Sequence, residues 1–386
     1  EGYSVDPKKA TVSITEAGSK VLVGYTYEDK IVSGDFEIQK IDRESNLEKF
    51  AQGDATLKGT QINIVSKNEG TVIVGGKKYN KGDVIITLVT DENGFAGTTG
   101  GALPYGKYTY VEVSAPTGYK NSGRGLSGTF SIETAGEVVK RTYETKNPVA
   151  NDIIRGGFAL TKVDLDSSKN TAQGDATLEG TQYDLYNRSK NSVLVDTDGD
   201  GKFETYNAGD KIATFYTDET GRIATSKSYL PYGTYEVREV KAPEGYLLDE
   251  SDDTKSQGTV KTFSVREEGD FFDYTGDESP KNAVMRGGFK LSKVDIEVGD
   301  AGISQGDAVL SGAEFTLYNR SAGAVMVDAD GDGKLEKYTV DAKIKVFVTD
   351  EKGEIASPEK FLPYGTYEVV ETKAPEGYMT QNSENL

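Results

Sequence analysis

The pattern Y-x-x-x-E-x-x-A-P-x-G-Y occurs three times in the chain, as YTYVEVSAPTGY from Tyr108, YEVREVKAPEGY from Tyr235 and YEVVETKAPEGY from Tyr367. Its first half alternates, so in an extended strand Tyr235, Val237 and Glu239 share one face while Glu236 and Arg238 share the other. The Ala-Pro and the Gly then end the strand. Each copy therefore points a glutamate, Glu112, Glu239 or Glu371, into an otherwise apolar face. A carboxyl at core depth needs a partner.

The glutamates recur at 239 − 112 = 127 and 371 − 239 = 132 residues, a domain-sized period far above that of a solenoid. Forty-five glycines and 23 tyrosines, many Thr and Val, and no long apolar stretch of helical period predict an all-β chain of strands and tight turns. The 386 residues suit about two to four domains on length alone. The repeats resolve this into terminal strands of a preceding domain (1–33), two complete domains (34–155 and 156–286), and a last domain without its final strands (287–386). The bounds follow from EGY at Glu1, which repeats the end of the motif, from KATVSITEAGS at Lys9, which resembles GTFSIETAGE at Gly128, and from the eight residues that follow Tyr378.

A net charge of −19 argues against nucleic acid and anionic membranes as partners. The chain has no cysteine and no histidine, which excludes disulfides, Cys-His and Ser-His-Asp nucleophiles, and His or Cys zinc sites. No apolar run approaches the length of a membrane span and no signal peptide opens the chain, which reads as a mature segment.

Each domain opens on a short strand, GDFEIQKID from Gly34, GGFALTKVD from Gly156 and GGFKLSKVD from Gly287. Alternation puts Lys40, Lys162 and Lys293 on the same face as the apolar residues before them. A single inward lysine is ordinarily an edge position or one that snorkels to solvent; three in one register are a pattern. Shared GDA(T/V)L, TDExG and LPYG segments lie between this strand and the motif, and LPYG reads as core and turn. Asn151 stands eleven residues before Lys162, Asn282 eleven before Lys293, and Asp29 eleven before Lys40.

An inward lysine on the first strand, Y-x-x-x-E-x-x-A-P-x-G-Y near the end and an Asn or Asp on the last strand together resemble the B-type domains of collagen-binding adhesins and SpaA-type pilins of Gram-positive bacteria, over nearly the whole chain. The resemblance implies a tandem array of prealbumin-like, immunoglobulin-type β-sandwiches. It also implies an intramolecular isopeptide bond in each complete domain, Lys40 with Asn151 assisted by Glu112 and Lys162 with Asn282 assisted by Glu239. The residue types suit that chemistry. Burial favours a neutral, nucleophilic amine and a protonated acid able to hydrogen-bond the amide carbonyl and to shuttle a proton.

Lys293 and Glu371 lack an Asn at the expected place and Asp29 lacks a preceding lysine, which leaves two half-sites. They read as a window cut from a longer array, or as the two ends of a head-to-tail fibre joined by strand complementation. The expectation is an extracellular stalk, pilin or adhesin shaft on a Gram-positive cell surface. It acts once on itself rather than as an enzyme, needs no cofactor, and has as partners neighbouring domains of the same or adjacent chains and possible host-matrix ligands. A ligand-binding adhesin region is the alternative. A carboxylate-only glycosidase is disfavoured, because no second carboxylate keeps register with the glutamate. Two loops, Asp196/Asp198/Asp200 and Asp328/Asp330/Asp332, have calcium-loop spacing, but Asn207 and Thr339 stand where a bidentate acid belongs. An acidic turn is the favoured reading there.

Overall fold

The computed structural model describes residues 2–21, 26–121, 126–248 and 260–379; Glu1 of the opening EGY and residues 380–386 of the last predicted domain lie outside them. The chain is all-β, with one 3-10 turn at Gly276–Glu278 among the described residues. In the first domain one antiparallel sheet runs in the order Ser127–Ile132, Gly106–Ser114, Gln61–Ser66, Val84–Val89. The motif strand Gly106–Ser114 is thus central, and its alternate residues Tyr108, Tyr110 and Glu112 are buried. The facing sheet is built on Ser33–Asp42, which pairs in parallel with Val138–Arg141 and then with Val149–Asn151. First and last strands are therefore parallel neighbours. Phe36, Ile38, Ile62, Ile64, Tyr108 and Phe130 fill the space between the sheets.

The second domain repeats this plan, with the four-stranded order Lys211–Tyr216, Gln182–Asn187, Gly233–Lys241, Val260–Val265. Val163–Asp164 runs parallel to Lys281–Asn282. The third domain keeps only three of these strands among its described residues, Lys343–Val348, Glu314–Asn319 and Tyr367–Lys373. Its first-strand residues Phe289 and Leu291 are only partly buried. With no closing strand beside them among the described residues, their outer side stays open.

Two shared turns fix the key strands. The first tyrosine of each motif donates its hydroxyl to the LPYG proline carbonyl, Tyr108 to Pro104 at 2.6 Å, Tyr235 to Pro231 at 2.7 Å and Tyr367 to Pro363 at 2.8 Å. The TDExG glycine accepts from the amide of the inward lysine: Lys40 to Gly94 and Lys162 to Gly221 at 2.7 Å, Lys293 to Gly353 at 2.8 Å. At Gly94 a Cβ would stand 2.4 Å from the Lys40 carbonyl, so only glycine lets the turn back onto this strand.

The opening residues are not the set of strands expected of them. Among the described residues of this stretch only Tyr3–Ser4 and Lys30–Ile31 pair. Residues 5–21, including the segment at Lys9, form no strand and are almost wholly exposed, because no neighbouring sheet edge takes up their backbone groups.

Candidate crosslinking site

The two complete domains bring lysine, glutamate and asparagine together in the same way. Lys40, on the first strand, is fully buried, Glu112 is 7% and Asn151 1% exposed; Lys162 and Glu239 are fully buried and Asn282 is 1% exposed. The glutamate bridges the other two. Its Oε2 meets the lysine Nζ, at 2.5 Å for Glu112 with Lys40 and 2.9 Å for Glu239 with Lys162. Its Oε1 accepts from the asparagine Nδ2, at 2.7 Å from Asn151 and 2.6 Å from Asn282. In the second domain Lys162 Nζ also donates to Asn282 Oδ1 at 2.5 Å, next to the amide carbon.

Burial dominates the electrostatics. It pulls the Lys40 ammonium down to about 8, against the opposing attraction of Glu112, so the neutral amine is reachable near physiological pH. The strand opposite tunes the site. Tyr183 faces Glu239 across the sheet where Ile62 faces Glu112 and Phe315 faces Glu371. The Tyr183 hydroxyl lies 3.4 Å from Glu239 Oε2, and burial with that carboxylate beside it holds its phenol well above the usual range.

The expected hydrogen bond from a protonated glutamate to the amide carbonyl is not the geometry found. In both domains the carboxyl oxygen meets the amide nitrogen, and Asn151 Oδ1 has no partner. The carboxyl thus sits against the amide nitrogen rather than the amide oxygen.

The third constellation is a pair. Lys293 and Glu371 lie 2.8 Å apart with side chains 14% and 22% exposed, and no asparagine meets them among the described residues. Asp29, exposed, accepts from the Asp6 amide and joins no lysine-glutamate pair.

Sequence reasoning missed a brace beneath each site. Asp42, Asp164 and Asp295, two residues after the inward lysine, are buried. A glutamine amide binds each one, from Gln52, Gln173 and Gln305. The last tyrosine of the motif donates to two of them, Tyr246 to Asp164 at 3.0 Å and Tyr378 to Asp295 at 2.7 Å. Burial pushes Asp42 up. The signal was present, since an aspartate two residues after the lysine shares its face.

The two acidic loops each gather three carboxylates, with one oxygen of each within 4.8 Å of the others. Those oxygens accept from the loops' own amides, as Asp196 does from Gly199 and Gly201. Glu204 and Glu336 turn to Thr197 and Ala329 instead of completing the set.

Among solved structures, the chain resembles the Bacillus anthracis TIE protein at 22% identity and a TM-score of 0.51, over 93% of this chain and 50% of that one. It therefore spans half the length of that protein. Weaker likenesses are to a streptococcal ancillary pilin, with 16% identity, TM-score 0.25, and 91% and 93% of the two chains covered. Another is to a variant of the major pilin subunit of Bacillus cereus, with 18% identity, TM-score 0.30, and 89% and 88% covered. No curated protein sequence matches. The SpaA family of prealbumin-like fold domains matches residues 34–147, 161–266 and 287–385, so this chain belongs to that family and carries its domain in three tandem copies.

Proposed function

We propose that the chain is a load-bearing shaft or stalk segment of a Gram-positive cell-surface protein, made of domains that each crosslink themselves once. The observation that carries this reading is the buried Lys-Glu-Asn triad, bridged by its glutamate in the same way at Lys40/Glu112/Asn151 and Lys162/Glu239/Asn282. In each triad the lysine proton passes to Glu Oε2, and the neutral amine attacks the asparagine Cγ. The C–N bond to Nδ2 breaks as the protonated carboxyl gives its proton to that nitrogen, the carboxylate then takes the surplus proton from the newly bonded lysine nitrogen, and ammonia leaves. One amide replaces another, so no oxidant or cofactor enters. Folding supplies the proximity, and each site works once, without turnover.

Residues 34–155 and 156–286 are the two units so closed. Residues 1–33 carry the end of another unit, and 287–386 carry one whose lysine and glutamate await an asparagine strand. Because the first and last strands are parallel neighbours, the bond lies on the path along which a pulling force crosses each domain.

Single-molecule stretching tests the reading. A crosslink from Lys40 to Asn151 shields 151 − 40 = 111 residues, which would otherwise extend by roughly 380 Å at about 3.4 Å per residue. The expected trace has no such step from either complete domain, and Glu112→Ala or Glu239→Ala restores one. Full extension of the unmodified chain would reject a covalent shaft.

A further inference from the structure

The junctions between domains repeat as closely as the crosslinking sites. After the first strand of each domain comes a Gln-Gly-Asp turn, Gln52-Gly53-Asp54, Gln173-Gly174-Asp175 and Gln305-Gly306-Asp307. The first two are seated in the next domain. Gln52 Oε1 accepts the Leu194 amide at 2.9 Å and Gln173 Oε1 the Met326 amide at 2.8 Å. Asp54 accepts from the Lys190 amide and the Thr234 hydroxyl, at 3.0 and 2.8 Å. Asp175 accepts from the Ala322 amide and the Thr366 hydroxyl, both at 2.7 Å. The same glutamines hold an acid, Glu44 or Asp166, that pairs with the arginine at the boundary to the next domain, Arg155 or Arg286, at 2.7 and 2.8 Å. Glycine is required in the turn: φ is +58° at Gly53 and +60° at Gly174, and a Cβ would meet the Tyr232 and Tyr364 carbonyls at 2.1 and 2.2 Å.

The third turn is formed but bare. Gln305 is braced as its counterparts are, to Asp295 and to Glu297 at 2.8 Å, and Gly306 has φ +56°. Yet Gln305, Gly306 and Asp307 are exposed where Gln52 and Gln173 are 0% and 2% exposed. Nothing lies within 4 Å of a Gly306 Cβ. Gln305 Oε1, Asp307 and Glu297 meet no arginine, threonine or amide of another domain among the described residues.

We propose that this face is a docking surface for a further domain of this same kind, one that opens with Arg-Gly-Gly-Phe and carries Tyr-Gly-Thr. Two observations select that occupant over a second copy of this chain docking by its first domain. The first domain has Ser33 where the others have Arg155 and Arg286, and Lys107 where they have Thr234 and Thr366. In addition, Gly2-Tyr3 already fills, against Val32 and Ile31, the register that Gly118-Tyr119 and Gly245-Tyr246 fill against Ile154, Ile153, Met285 and Val284. A second copy would bring that pair to a domain that has its own Gly377-Tyr378. The turn is thus a self-recognition device that sets which domain follows which.

The test appends a duplicate of residues 247–378 after Tyr378, which places an Arg286-to-Tyr378 domain in the register that already follows Tyr246. Asp307→Cys is combined with Thr366→Cys in the duplicate. The reference is the unextended chain with Asp175→Cys and Thr366→Cys; the chain has no other cysteine. On mild oxidation both pairs are expected to close into disulfides, and Arg286→Ser in the duplicate is expected to slow the new one. Closure of the reference pair alone would overturn the proposal. Hydrogen exchange on the cysteine-free extended chain decides independently of whether the cysteine variants fold. Gly306 and Asp307 amides as protected as those of Gly174 and Asp175 support docking, and exchange as fast as in the unextended chain refutes it.

Discussion

The second and third domains carry nearly the same motif strand, YEVREVKAPEGY and YEVVETKAPEGY, yet hold it in different surroundings. Around Glu239 the closing strand Lys281–Asn282 completes the sheet and the lysine and glutamate are fully buried. Around Glu371 no such strand is described, and the equivalent pair is partly open to solvent. The motif therefore aims the glutamate, whereas the closing strand supplies the third group and excludes water. The crosslinking proposed above would therefore need the closing strand as well as the motif.

The largest test of this contrast removes the glutamate in the sealed site. Glu239→Ala is expected to leave Lys162 and Asn282 unjoined, losing the constraint on a loop of 120 residues, worth roughly 5 kcal/mol by crosslink entropy. The second domain's melting transition should fall accordingly, and an unchanged transition would show that no bond had stabilised it. A smaller effect separates the seated turn from the bare one. Gly174→Ala and Gly306→Ala both pay about 1 kcal/mol for a left-handed residue, but only the first also drives a Cβ into a carbonyl. We expect about 3 kcal/mol in total for Gly174→Ala, with earlier protease cleavage at that junction; equal losses would mean the seating contributes nothing.

Next is a pH effect. Asn151→Ala leaves Lys40 unmodified beside Glu112, with its folded-state value lowered to about 8 from 10.5. A lysine that binds its proton less tightly when folded destabilises the domain below pH 8 and ceases to do so as pH rises towards 10. Stability should therefore climb by about 2 kcal/mol over that window, read by denaturant titration; a flat profile would place Lys40 in contact with water. The smallest effect is Glu371→Ala, under about 1 kcal/mol for a partly exposed pair and without change in the ammonia deficit. A loss as large as that at Glu239 would erase the distinction between the two domains.

Much of this was legible in the sequence because strand alternation is strict. The inward positions of Lys40, Lys162, Glu112 and Glu239 follow from period 2, and the family match bears out the all-β, prealbumin-like tandem reading. What alternation does not carry is pairing between strands. Which carboxyl oxygen meets which amide atom depends on contacts 39 and 43 residues apart in the chain, and the seating of Gln52 and Gln173 in the following domain on contacts 142 and 153 residues apart. The opening residues show the converse. Their likeness to Gly128–Glu137 predicts strands, but a strand needs a neighbouring strand for its backbone, and residues 5–21 pair with none among the described residues.

The central claim is covalent, and the intact mass of the purified chain under denaturing conditions measures it directly. The account predicts a deficit of two ammonia molecules, reduced to one by either Glu112→Ala or Glu239→Ala and unaffected by Glu371→Ala. A folded chain with its full unmodified mass would contradict it, leaving two buried lysine-glutamate-asparagine clusters held by hydrogen bonds and charge alone.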